Sequence, residues 1–185
     1  VMETSMVDIA NEAEISRFTL YRYFSKKYEL LIEVQLLLYD EMNLSQETAS
    51  SDPTDIVEQL RQRLYEIASN LYGQPDLVRF SYTFDHLFTS EEIPLELQES
   101  FRQKAMERKA TMKRKNIALL IEEGIKDGSF RDDVDPKETT ILMMETIWGL
   151  VGKLLNSHNH PLWGHDVDHQ KLLRSLVDIL VDHIK

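Results

Sequence analysis

Apolar residues recur along this chain at intervals of three and four, almost from one end to the other, which is the spacing of amphipathic helices. Ile9, Ala10 and Ala13 make a small apolar face in a short segment that begins at Ser5, and Leu20, Tyr21 and Phe24 make a second in a segment that begins at Ser16. Leu30, Leu31, Val34, Leu37 and Leu38 form the stripe of a third helix that starts within 25–27 and runs to residue 44. A fourth stripe, Ile56, Leu60, Leu64, Ile67 and Leu71, stops at Gly73, a residue type that often closes a helix. Residues 75–88 are rich in rings, with Phe80, Phe84 and Phe88 sharing one face. A long helix is expected over 95–127, about 50 Å if continuous, with Gly128 to stop it. After Pro136 the chain is apolar on nearly every side through Ile141, Met144, Ile147, Trp148, Val151 and Leu155, and Leu172, Leu173, Leu176, Val177, Leu180 and Ile184 form the last stripe. No strand-type alternation persists, and no internal repeat is present, so the predicted fold class is all-α.

The polar residues between stripes sharpen the boundaries. Ser5 can cap the first helix, with Asp8 three residues on as the acidic partner of a capping box, and Ser16 can cap the second. Only residues 13–15 lie between these helices, the length of a helix-turn-helix connection. Residues 46–54 are polar and contain Asp52-Pro53, a cap followed by a first-turn proline. The expected organisation is a head over residues 1–44 and a larger helical domain over 45–185.

Composition narrows the functional classes. A chain of 185 residues can bury a core without staples, and it has no cysteine for disulfides or thiolate metal sites. It lacks an apolar run of membrane-spanning length and a signal-peptide pattern, so a cytoplasmic location without membrane partners is expected. The formal net charge is −11, yet residues 15–28 hold Arg17, Arg22, Lys26 and Lys27 and no acid. A basic, ring-rich second helix in a helix-turn-helix would enter the major groove, with Arg17 and Thr19 near base edges and Tyr21, Tyr23 and Lys27 near phosphates. The same pattern also describes two amphipathic helices with a solvated basic edge. There is no phosphate loop, nucleophile elbow or His-Glu-x-x-His, so neither an enzyme nor a cofactor is expected.

Residues 5–31, Ser-Met-Val-Asp-Ile-Ala-Asn-Glu-Ala-Glu-Ile-Ser-Arg-Phe-Thr-Leu-Tyr-Arg-Tyr-Phe-Ser-Lys-Lys-Tyr-Glu-Leu-Leu, closely resemble the DNA-binding head of the TetR family of transcriptional regulators. Residues 121–136 resemble, more loosely, the segment before that family's dimerisation helices. The resemblance implies DNA contacts at Ser5, Arg17, Phe18, Thr19, Tyr21, Arg22, Tyr23 and Lys27. It implies a small-molecule chamber among the middle helices, for which Phe80, Phe84, Phe88, Met144 and Trp148 are the candidate lining, although such rings also suit an ordinary core. It implies a homodimer through the last two helices, with Gly149, Gly152, Leu173, Leu176, Val177 and Leu180 as the expected interface. The expected function is a ligand-responsive regulator, a repressor that holds a palindromic operator in double-stranded DNA and is released by a small apolar or aromatic effector. The alternative is a helical small-molecule-binding or adaptor protein that no longer binds DNA.

Three departures from the family pattern bear on that choice. Glu14 stands where glycine is usual, which costs strain if its φ is positive. Phe18 stands where a small residue is usual. The family's first helix would precede this motif, so the head is expected to be incomplete at its N-terminus. Two further features are read as solvated surface: the histidines His158, His160, His165 and His169, where no metal is expected, and the basic run over 102–115.

Overall fold

The computed structural model describes residues 4–44, 55–89, 93–110, 117–155 and 167–185, and every regular element among them is a helix. The order is α1 (Met6–Glu12), α2 (Arg17–Tyr23), α3 (Lys27–Leu44), α4 (Ile56–Tyr72), α5 (Pro75–Thr89), α6 (Leu95–Ala110), α7 (Ile117–Asp127), α8 (Pro136–Leu155) and α9 (His169–Asp182). These helices gather into two compact units, one of residues 1–44 with 79–111 and one of residues 45–78 with 112–185. The sequence reading separates the chain at residue 44 alone. The difference arises from α5 and α6, whose apolar faces pack with the head.

The first unit has two apolar clusters. Met6, Ala10 and Leu20 are buried between α1 and α2, and Ile9, Phe24 and Leu30 pack around them. In the other, Leu31, Ile32 and Leu36 of α3 are buried with Phe84, Leu87, Ile93 and Phe101. The burial pattern of α3 is rotated from the expected stripe. Leu37 is exposed, whereas Gln35 is buried and accepts a hydrogen bond from the buried Ser81 hydroxyl at 3.3 Å. A stripe counted from apolar residues cannot anticipate a buried glutamine, because its burial depends on a partner 46 residues away. Lys104 adds an exposed ion pair to Glu33 at 2.7 Å.

The second unit is built around α4, which packs on α7, α8 and α9. Its predicted stripe is buried throughout, and Arg63 and Ala68 are buried alongside it. Met143, Ile147, Val151 and Leu154 of α8 and Leu173, Val177 and Val181 of α9 complete the interior. At the surface, Arg61 of α4 donates to Asp178 and, at 3.2 Å, to Asp182 of α9, and it also approaches Glu58. The Tyr72 hydroxyl lies 2.8 Å from His169 Nδ1 and the Tyr65 hydroxyl donates to Gln170, so the start of α9 is also tied to α4.

Chain breaks use glycine in different ways. Gly73 caps α4 with φ −71°, an ordinary helical value, so its conformational freedom is not what ends that helix. Gly128 follows α7 with φ +80°, where its freedom is used. The helix expected over 95–127 is described as α6 and α7, and residues 111–116 between them lie outside the described residues, as does Asp52-Pro53.

Gly124 is buried on α7, and a Cβ there would stand 2.1 Å from Cδ2 of the buried Phe130 ring. The Phe130 amide also donates to the Gly124 carbonyl at 2.9 Å, which holds the ring in place. Alanine for glycine inside a helix normally stabilises by about 0.5–1 kcal/mol, but overpacking of a filled core costs about 1–3 kcal/mol. Gly124→Ala is therefore expected to lower the melting temperature; an unchanged or higher value would show that the ring is not locked against this backbone.

Candidate nucleic-acid interface

The head begins with a complete capping box. The Asp8 amide donates to Ser5 Oγ at 3.2 Å, and the Ser5 amide and hydroxyl donate to Asp8 Oδ2 at 2.8 and 2.6 Å. Ser5 thus directs both its donors to Asp8, and a phosphate at this cap would have to displace a carboxylate. A similar device closes the other end. The Ser25 hydroxyl and the amides of Ser25 and Lys26 donate to the Glu29 carboxylate. Hydrogen bonds from the Ser5 side chain, then from its amide, hold Asp8 below the ordinary carboxylate range, and the Ser25 hydroxyl chiefly does the same for Glu29. Both shifts are downward, so the stabilisation is present at neutral pH and disappears as pH falls through the lowered values.

The turn between α1 and α2 is closed by two backbone bonds. The Glu14 amide donates to the Asn11 carbonyl at 3.1 Å and the Ile15 amide to the Ala10 carbonyl at 3.0 Å. This pair defines a Schellman motif, in which the residue after the cap is left-handed. Here that residue is Glu14, with φ +54°, and it is the one non-glycine residue with positive φ among the described residues. The strain anticipated from the sequence is present, and the turn forms nonetheless.

Ser16 then caps α2, its Oγ accepting from the Thr19 amide at 3.0 Å and lying 2.8 Å from the Thr19 hydroxyl. Leu20 points into the head core. At about 100° per residue, positions two before and two after it fall on the opposite side of the helix. Those positions are Phe18 and Arg22, so they occupy the centre of the outward face, with Arg17 and Tyr21 beside them. Phe18 is 80% exposed, Tyr23 66% and Tyr21 44%. Arg22 is folded along the helix: its Nη2 donates to the Tyr23 hydroxyl at 3.1 Å and its guanidinium lies 5.1 Å from that ring's centroid. Lys27 is half-buried at the start of α3. The outward face therefore combines guanidinium groups with rings, the side-chain types that read base edges and bind phosphates.

Residues 2–34 match the family model of bacterial regulatory proteins of the tetR family. Over these residues the head is similar to that family. A comparison with curated protein sequences finds no match. Among solved structures, FadR from Bacillus subtilis in complex with stearoyl-CoA is similar with TM-score 0.69 and 18% identity, covering 100% of this chain and 90% of that one. The TetR-family regulator PfmR from Thermus thermophilus has TM-score 0.64 and 20% identity, covering 98% and 89%. The ketosteroid regulator KstR2 of Mycobacterium tuberculosis has TM-score 0.59 and 17% identity, covering 100% and 86%. The fold is thus the TetR fold, an N-terminal helix-turn-helix followed by a helical domain.

The remaining predicted residues are distributed less simply than the tetR-family resemblance implies. Phe80, Phe84 and Phe88 lie in the same compact unit as the head, where they stack in sequence and Phe84 and Phe88 pack against Phe101. Met144 and Trp148 lie half-buried on α8 in the second unit. Of the expected interface residues, Leu173, Val177 and Gly152 are buried within their own unit, whereas Gly149 is exposed and Leu176 and Leu180 are half-buried. Ile141, Leu142 and Ile179 are exposed on α8 and α9 and are not among the expected interface residues. A helix that is apolar all round does not declare which side its own subunit covers. His158, His160 and His165 lie outside the described residues, and His169 faces Tyr72, edge-on at 5.7 Å between centroids. An open depression of about 600 Å³ in the second unit is lined by Asp55, Ile56, Val57, Asp127, Ser129 and Lys185, none of them a predicted ligand residue.

Glu14 supplies a test of the turn. A left-handed L-residue costs about 1–2 kcal/mol, and glycine returns part of that gain through its freer unfolded chain, about 0.5–1 kcal/mol. Glu14→Gly is expected to raise the melting temperature, by an amount worth up to about 1 kcal/mol, while Glu14→Ala, with the charge removed but the φ unchanged, is not. Equal melting of the two variants would mean that the positive φ carries no cost.

Proposed function

We propose that the chain is a ligand-responsive transcriptional regulator, a repressor that binds a palindromic operator as a homodimer and leaves it when a small apolar or aromatic effector binds. The observation that carries the DNA-binding part is the outward face of α2, where Arg17, Phe18, Tyr21, Arg22 and Tyr23 are all exposed on a correctly capped helix behind an intact turn. The turn's formation around Glu14 favours this reading over an adaptor that has lost DNA binding. In function the division is a DNA-binding domain over 1–44 and a ligand-binding and dimerisation domain over 45–185. Two copies of α2 would stand about 34–36 Å apart to meet successive major grooves on one side of the duplex.

The exposed apolar residues of α8 and α9 support dimerisation through these helices, with Gly149, Leu176, Leu180, Ile141, Leu142 and Ile179 facing the partner. The stearoyl-CoA of FadR and the ketosteroid named for KstR2 support an apolar effector here, and the rings of α5 in one unit and Met144 with Trp148 in the other are separate candidate linings. The effector would act by binding one arrangement of the heads better than another, so that the spacing on DNA no longer fits.

Arg17→Ala and Tyr21→Ala are each expected to weaken operator binding in a gel shift by at least about tenfold, with helix content and oligomeric state unchanged. Undiminished binding by both variants would sink the DNA-contact assignment. Ile179→Glu, at a site 66% exposed in the single chain, is expected to give a folded monomer in size-exclusion chromatography. Retention of the wild-type oligomer would place the subunit contact elsewhere.

A further inference from the structure

We propose that Phe18 is a specificity residue that reads the 5-methyl group of a thymine in each operator half-site. The inference rests on the DNA-binding reading above and adds the chemistry of one recognised base. Three observations carry it. First, Phe18 is the most exposed large apolar side chain among the described residues, at 80%. An outward ring on the first turn of a helix contributes nothing to the head core, which Met6, Ala10 and Leu20 fill without it. Second, it lies diametrically opposite Leu20 and so at the centre of the face that would enter the groove, not at its rim. Third, its polar neighbours leave it uncovered: the Thr19 hydroxyl is turned back to Ser16 at 2.8 Å, and Arg22, one helical turn on, is folded onto Tyr23.

A phenyl ring has no donor or acceptor with which to read base edges. In the major groove the one apolar feature that distinguishes a base is the thymine methyl, and a phenylalanine is among the side chains that contact it. The positive charges around it, Arg17, Arg22 and Lys26, are suited to the flanking phosphates and to guanine edges. The ring is thereby carried into a polyanionic groove, where an apolar ring would find no other apolar partner. The half-site is accordingly expected to hold one thymine whose methyl matters.

The test begins with selection of bound duplexes from a random-sequence library by the full chain. The selected site is then resynthesised with deoxyuridine in place of each thymine in turn, which removes the methyl and leaves base pairing intact. Wild-type protein is expected to lose about fourfold in affinity per contacted methyl, the value of one buried methyl-sized group, at a single thymine per half-site. Phe18→Ala should bind the thymine and uracil duplexes equally, and Phe18→Leu should keep part of the preference. Because the side chain is outside the core, both variants are expected to melt as the wild type does. If a site is selected but no uracil substitution weakens binding, or if Phe18→Ala retains the thymine preference, this inference fails while DNA binding stands. If no sequence is enriched, the DNA-binding reading fails, and this inference with it.

Discussion

Adjacent residues of α3 belong to different cores, and the head is held by that division. Leu30 completes the packing of α1 and α2, while Leu31, Ile32 and Leu36 are buried among the rings and aliphatic chains of α5 and α6. Neighbouring positions on a helix point about 100° apart, so α3 cannot rotate to improve one contact without disturbing the other. The buried bond from Ser81 to Gln35 adds a polar constraint. A slide or rotation that broke it would leave a buried polar group unsatisfied, at a cost of about 1–3 kcal/mol. The orientation of α2 is therefore tied to the arrangement of the aromatic cluster through one helix. This is a physical basis on which events at those rings are felt at the outward face of α2.

Electrostatics works locally on this chain. With a formal charge of −11, the molecule as a whole is not drawn to nucleic acid. On the outward face of α2 the basic residues are exposed, while the carboxylates of Asp8 and Glu29 are turned onto backbone amides and serine hydroxyls. Those carboxylates have structural work that orients them toward their own helix ends. The caps fix the helix starts, and the same hydrogen bonds keep these two carboxylates ionised there.

Much of the head could be read directly from residues because its determinants are local. Ser5 with Asp8, Ser16 with Thr19 and the position of Glu14 each act within a few residues, and each forms as its spacing predicts. The stripe of α4 was equally legible, since it faces three helices of one unit. The pattern fails where burial depends on a distant partner. Gln35 is buried because of Ser81, and α3 is rotated from its expected face accordingly. The α5 rings have an evident face, but periodicity does not say that α3 and α6 receive it. For α8, whose residues are apolar on nearly every side, the covered side depends on α4, α7 and α9. This is why Met143, Ile147 and Val151 are internal while Ile141 and Leu142 stand outside.

The close approach of Phe130 to α7 has a consequence for how this sequence can change over time. No side chain larger than a hydrogen atom fits at Gly124 while the ring occupies its present place. A smaller residue at 130 would open that space, yet would also leave a void unless position 124 grew to meet it. Single steps along either route pass through an unfavourable intermediate, one overfilled and the other hollow. The two positions therefore behave as one inherited choice, and divergence at either is expected to carry the other with it.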